Sequence, residues 1–169
     1  MNNAIVALGA NLGNTEATLS AAVDALKKAE GIDTVKVSRF YTTSPVESSG
    51  PDYLNAVAAV KTSLSPDELL LLCQRIENAY GRVRPAGVVN APRTLDLDVI
   101  DYEGIRQNCP HLILPHPRMH ERLFVLVPMT DVCPDWTFTD GRLLPDLIAE
   151  VEKKSPNQKI RLHFSKNMA

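Results

Sequence analysis

The segment Tyr53–Thr62, YLNAVAAVKT, constrains the fold more than any other, because it is apolar at nearly every position after Asn55. A strand with one wet face alternates apolar and polar residues, whereas a near-continuous apolar run has to be covered on both sides. The segment is therefore expected to lie centrally in a sheet. Ser65-Pro66-Asp67-Glu68 follows at once and combines an N-cap serine, a proline at the first helical position and a glutamate placed to close a capping box. Leu69, Leu72, Cys73, Ile76 and Tyr80 then recur at helical spacing along one side, and Gly81 stands where that helix should end. Gln74 and Glu77 are three residues apart on another face, and on their own they read as solvated.

The flanking elements complete a pattern. Residues 4–8 form a short apolar strand stopped by Gly9, and a turn rich in Gly and Asn leads into a helix over residues 15–30 that Gly31 terminates. That turn lacks the Lys-Ser/Thr ending of a Walker loop and is not GxGxxG. Residues 34–41 alternate as a strand does, and residues 42–51 break all periodicity, as a functional or mobile loop would, or a disordered surface connection. After a strand over residues 95–99, residues 101–109 read as a turn region and residues 112–114 as a short strand. A helix is expected over residues 118–127 with Pro128 ending it, then a short strand at 136–138 and a final amphipathic helix built on Leu143, Leu144, Leu147, Ile148 and Val151. The order β-α-β-β-α-β predicts an α+β fold. It is a ferredoxin-like antiparallel sheet with helices packed on one face and a C-terminal helical extension. Residues 1–152 are expected as a single domain and residues 153–169 as a polar C-terminal tail.

At 169 residues the chain suits one domain with a sizeable core. A formal net charge of −2 argues against a general nucleic-acid binder. The aromatic fraction of 5% argues the same way, because an RNA-binding sheet of this type needs exposed aromatics, and here a central strand bears two aspartates instead. The three cysteines, Cys73, Cys109 and Cys133, are widely spaced and include no CxxC, so they read as reduced thiols of a cytoplasmic protein. The first residues have no basic n-region, and no apolar run approaches the length of a membrane span.

The chemistry is concentrated between Gly81 and Asp98, GRVRPAGVVNAPRTLDLD. Along a strand, residues two apart share a face and stand roughly 6.6 Å apart. Leu95, Leu97 and Val99 therefore point one way, and Asp96 and Asp98 the other. Alone, such a pair reads more readily as a solvated edge strand whose carboxylates pair with nearby arginines. With Arg82, Arg84 and Arg93 just upstream, a second reading gains weight. Mg2+ takes one or two carboxylates and completes its shell with water and substrate phosphates, and guanidinium forks match phosphate oxygens. Further on, residues 115–124 pack two histidines, two arginines and a phenylalanine together, although His116 taken by itself would most often be structural.

Taken in order, Ala7 to Gly13, Pro51-Asp52-Tyr53-Leu54-Asn55, Gln74-Arg75-Ile76-Glu77, Gly81 to Arg84, Ala91 to Asp98, and Pro115-His116 through Met119, Arg122 and Phe124 closely resemble the 6-hydroxymethyl-7,8-dihydropterin pyrophosphokinases of folate biosynthesis. The resemblance implies transfer of the β,γ-pyrophosphoryl unit of ATP to the hydroxymethyl oxygen of the pterin, leaving AMP. It implies that Asp96 and Asp98 hold two Mg2+ ions. Gln74, Glu77, Arg84, Val99, His116, Pro117 and Arg122 would contact ATP, while Arg82 and Arg93 would act from a mobile loop during transfer. Thr43, Ser44, Pro45 and Val46 would line the pterin pocket, Tyr53 and Phe124 would sandwich the ring, and Asn55 would read its edge. The partners implied are these two small molecules, with no nucleic acid and no membrane, acting on a monomer. The chain departs from the family pattern at Asn90-Ala91, where Trp-Gly is usual, at His111, often an arginine, and at Ser44, often a proline. Altered substrate affinities are the expected consequence. A ligand-sensing domain that keeps the pocket without catalysis is the competing expectation.

Overall fold

Two long antiparallel strands form the centre, β1 (Asn2–Ala10) and β4 (Tyr53–Thr62), paired from Asn2 opposite Thr62 to Ala10 opposite Leu54. The structure, a computed structural model, describes residues 1–43, 52–81 and 95–163. The remaining described elements, in chain order, are α1 (Thr15–Lys28), β2 (Ile32–Val37), β3 (Tyr41–Thr43), α2 (Pro66–Tyr80), β5 (Asp96–Tyr102), β6 (Gln107–Cys109), β7 (Leu112–Leu114), α3 (Leu123–Val132), α4 (Leu144–Lys154) and β8 (Ile160–Leu162). The main sheet runs β5-β1-β4-β3-β8, with β2 also paired to β4, and β6 pairs with β7 apart from it. Every strand pair is antiparallel. This is the expected ferredoxin-like order with additions at the margins.

Strand β4 is central, as its apolar run requires. Leu54, Ala56, Ala58 and Val60 face a cluster formed with Leu19, Leu26, Leu69 and Cys73 of α1 and α2, while Val57 faces a second cluster with Leu126 and Met129 of α3 and Leu147 of α4. The expectation of helices on one face therefore needs enlarging: the C-terminal extension covers the other. Helix α2 carries the full capping box, with Ser65 accepting from Glu68 N and the Glu68 carboxylate accepting from Ser65 N. Tyr80 belongs to its exposed side and not to the apolar stripe. Gly31 has φ +89°, a left-handed conformation that halts the chain just after α1.

Several expectations are corrected. Strand β1 continues through Gly9 instead of stopping there, since Gly9 pairs with Asn55 on one side and Asp96 on the other. The strand expected over residues 34–41 is broken: Ser38, Arg39 and Phe40 oppose only Ala56 and Val57, between the β2 and β3 registers. Ser38 makes the break tolerable, because its Oγ accepts from Val57 N at 2.9 Å while its own N donates to Val57 O at 2.8 Å. Strand β5 lies at the end of the sheet, not at its centre, and runs on to Tyr102, into what read as a turn region. Pro128 sits inside α3, where its ring costs the one N–H that would reach Phe124 O. A 3-10 turn over Met119–Glu121 occupies the start of the expected helix. Trp136 to Phe138 makes only an isolated bridge, Thr137 to Leu143. Within the polar residues 153–169, Ile160–Leu162 join the sheet as β8 against β3.

Candidate active site

The period-2 geometry of β5 places Asp96 and Asp98 half-exposed on one face, while Leu95, Leu97 and Val99 are buried on the other. Cross-strand register carries that face across the sheet. Asp96 is level with Gly9, Gly9 with Asn55, and Asn55 with Tyr41. With neighbouring strands about 4.8 Å apart, Asp96 and Asn55 stand about 10 Å from each other across a glycine that presents no side chain. Tyr53 lies two residues before Asn55 on the same face and pairs with Thr43. The apolar cluster under α3 and α4 takes Ile5, Ala7, Val57, Ala59 and Ile100 from this face. Gly9, Asn55, Tyr53 and Asp96 continue the face beyond it, forming a polar floor at one end of the sheet.

Asn55 is buried, and its Nδ2 donates to Thr43 Oγ1 at 2.7 Å. That bond commits the amide nitrogen and turns the carbonyl oxygen toward Gly9, where an added Cβ would meet it at 3.2 Å. Tyr53 and Phe124 are both half-exposed, so each retains ring surface for a ligand. The Arg122 guanidinium lies 5.5 Å from the centroid of the Phe124 ring.

His116 joins the site through the backbone: its N donates to Ile100 O at 2.7 Å, holding it beside β5. Its Nδ1 accepts from Arg118 N at 3.1 Å, which places the ring proton of the neutral form on Nε2 as a donor. Burial lowers its pKa against the pull of the Asp98 charge, and the Arg122 and Arg118 charges lower it further. Asp98, His116, Arg122 and Arg118 therefore feel one another. Arg118 was not singled out in the sequence, where only its position in the basic run 115–124 could have marked it.

Glu77 departs from the solvated face expected for it. It is 6% exposed, and its Oε2 accepts from Leu97 N at 2.9 Å, fixing the backbone between the two aspartates. Val99 is 2% exposed within the apolar layer, so any contact with a nucleotide would have to come from its backbone. Gln74 and Pro117 are exposed. Ser44, Pro45, Val46, Arg82, Arg84 and Arg93 lie outside the described residues. His111 is on the surface, with Nε2 2.9 Å from Asp67 Oδ1.

Residues past Lys154 also reach the site. A cavity of about 380 Å3 is lined by Thr43, Leu123 and Phe124 together with Ser155, Gln158 and Ile160. Sequence reasoning missed the last three, because they lie in a stretch with no periodicity. Among the described residues no group of three or more His, Cys, Asp or Glu side chains is placed to hold a metal. Two carboxylates on one strand face nevertheless fit a hard cation that draws its other ligands from water and substrate oxygens. No helix among the described residues is long and apolar enough to cross a membrane.

The chain is similar to known proteins in sequence and in fold. The family model described as 7,8-dihydro-6-hydroxymethylpterin-pyrophosphokinase matches residues 5–134. The 2-amino-4-hydroxy-6-hydroxymethyldihydropteridine pyrophosphokinase of Bacillus subtilis (strain 168) is 45% identical over 135 residues, covering 79% of this chain and 80% of that protein. The protein of the same name from Methylorubrum extorquens is 42% identical over 153 residues, covering 90% of this chain and 95% of the relative. Among solved structures, wild-type Plasmodium falciparum HPPK-DHPS with pteroate superposes with a TM-score of 0.70 over 92% of this chain at 12% identity, a likeness of fold. This chain spans 44% of that longer one.

Proposed function

The chain belongs to the 7,8-dihydro-6-hydroxymethylpterin-pyrophosphokinase family, and on that premise we propose that the polar floor at the end of the sheet binds ATP and the pterin side by side for pyrophosphoryl transfer. The hydroxymethyl oxygen attacks the β-phosphorus of ATP, the bond from that phosphorus to the α,β-bridging oxygen breaks, AMP leaves with that oxygen, and the hydroxyl proton passes to solvent water. Such a reaction demands mainly positioning and stabilisation of phosphate charge. The observation that carries the reading is the row Asp96, Gly9, Asn55: a carboxylate pair and a fixed amide about 10 Å apart, with open backbone between them.

Each residue then has a task. Asp96 and Asp98 hold Mg2+, two ions by family analogy, and the metal when bound neutralises and orients the triphosphate. Glu77 keeps the carboxylates in register through Leu97 and stands with Gln74 at the ATP side of the site. His116, with its proton on Nε2, donates to a phosphate oxygen, and Arg122 supplies a guanidinium to the same chain of phosphates. Gln74 and the backbone of Val99 lie toward the nucleotide end, with Pro117 beside His116. Tyr53 and Phe124 take the two faces of the pterin ring, while the Asn55 carbonyl accepts from an N–H on the ring edge. Thr43, Ser44, Pro45 and Val46 wall the pterin, and Arg82, Arg84 and Arg93 serve the phosphates. The enzyme acts as a cytoplasmic monomer.

Mn2+ binding in the presence of a non-hydrolysable ATP analogue tests the metal assignment by the loss of the free-ion electron paramagnetic resonance signal. Wild-type protein should bind the ion, and Asp98→Asn should weaken binding at least about tenfold, the scale of a lost charged ligand. Equal binding by both proteins would place the metal elsewhere.

A further inference from the structure

Arg122 is clamped from both sides by a single side chain that belongs to neither of its neighbouring elements. Gln158 Oε1 accepts from Leu123 N at 3.0 Å, and Gln158 Nε2 donates to Glu121 O at 2.6 Å. The two bonded backbone groups flank Arg122, which has φ −124° and ψ 100° between the 3-10 turn and α3. The clamp thus fixes the one non-helical residue at the start of α3 and the direction in which Phe124 leaves it. Residue 122 makes no side-chain cap of its own, and Gln158 satisfies the N–H of Leu123, one of the four at the start of α3 that have no partner within the helix.

The segment bearing Gln158 is itself anchored around the same pocket. Ile160 pairs with Thr43 and Leu162 with Tyr41, His163 N donates to Phe40 O at 2.8 Å, and Arg161 Nη2 lies 3.2 Å from Asp52 Oδ2, next to Tyr53. Residues 158–162 therefore tie the α3 side of the pocket to its β3 and β4 side. The family match ends at residue 134 and does not include them.

We infer that Gln158 is a positioning residue for pyrophosphoryl transfer, holding Arg122 and Phe124 in the conformation that receives the substrates. The inference rests on the reading of Arg122 and Phe124 as substrate contacts. Without the clamp, residues 121–123 sample other conformations, and apparent affinity falls in proportion to the competent fraction. Loss of both hydrogen bonds should lower that fraction to about a tenth.

The test compares wild type with Gln158→Ala, Gln158→Glu, Arg122→Ala and Phe124→Ala in steady-state kinetics with ATP and 6-hydroxymethyl-7,8-dihydropterin, at a temperature where circular dichroism shows each protein folded. Gln158→Ala should raise the pterin KM about tenfold with kcat within about twofold. Gln158→Glu retains an acceptor for Leu123 but sets a carboxylate oxygen against Glu121 O, so it should raise the pterin KM at least as far as Gln158→Ala. A role in folding alone would lower Tm and leave the KM of the folded enzyme unchanged, which overturns the inference. So does wild-type KM in both Gln158 variants while Arg122→Ala and Phe124→Ala are impaired. Full activity in those last two would instead sink the substrate-contact reading beneath it. If Gln158→Ala does not fold, Gln158→Glu decides alone, and an unchanged pterin KM is the adverse result.

Discussion

Replacing Gly9 by alanine puts a methyl group on the face shared by Asp96 and Asn55. Built on the existing backbone, the new Cβ lies 3.2 Å from Asn55 Oδ1, a few tenths of an ångström inside the roughly 3.5 Å of ordinary contact. Asn55 cannot swing away freely, because the residue is 4% exposed and its Nδ2 is held 2.7 Å from Thr43 Oγ1. The carbonyl must turn, and the bond proposed from it to the pterin edge loses alignment. A neutral hydrogen bond is worth about 0.5–1.5 kcal/mol net, and the methyl also occupies floor the ligand needs, so about 1.5 kcal/mol is expected, near tenfold in affinity. Folding should hardly change, since alanine restricts the unfolded chain by about 0.5–1 kcal/mol and so offsets the crowding. Kinetics with each substrate varied in turn should show the pterin KM up about tenfold and the ATP KM within about twofold, with Tm moving by no more than about 3 °C. A raised ATP KM with an unchanged pterin KM would refute the order of substrates along the row.

Three further perturbations follow from the same geometry. Asp131 on α3 accepts from Tyr41 Oη at 2.8 Å and Arg39 Nη2 at 2.9 Å; burial tends to raise its pKa, but these donors outweigh it and hold the carboxyl below its usual value. Its contribution is therefore present above the ordinary aspartate value of about 3.9 and is lost as pH falls below it. Asp131→Ala should cost about 1–2 kcal/mol in urea unfolding at pH 7, and less at pH 3. Asp101 is fully buried beneath Trp136 Nε1 and Thr139, and burial pushes its pKa up, so the stability it confers is greatest when protonated and declines as pH rises past about 3.9. Asp101→Asn, which can satisfy the same partners, should flatten that decline in melts at pH 4 to 8; an unaltered slope would count against it. Gly81→Ala would drive a Cβ into the Leu95 side chain and to 2.9 Å from Leu95 N, so thermal melting should show a loss of about 2 kcal/mol or more.

The elements legible in the sequence were those in which burial and local chemistry agree. Strand β4 has a continuous apolar run and α2 has its capping box, and both extend as expected. Asp96 and Asp98 share a face because a strand alternates, which needs no tertiary information. What escaped depends on partners distant in sequence. The break at Ser38 is invisible in an alternating pattern, since it rests on a side-chain oxygen meeting Val57. Pro128 remains inside α3 because packing of Val125, Leu126 and Met129 outweighs one missing hydrogen bond. Glu77 reads as solvated until β5 brings the Leu97 N–H to it. Likewise, Gln158 and Ile160 lie in a polar stretch, and only the edge of β3 and the uncapped start of α3 give them a place.

The central claim is that the carboxylates of β5 support transfer of a pyrophosphoryl unit to a pterin. It is tested most directly by separating the nucleotides formed from ATP, Mg2+ and 6-hydroxymethyl-7,8-dihydropterin, with wild-type protein and with the Asp96→Ala/Asp98→Ala double variant. AMP should form only when the pterin is present and only with both aspartates intact. ADP in place of AMP, or AMP formed as readily by the double variant, would contradict the account.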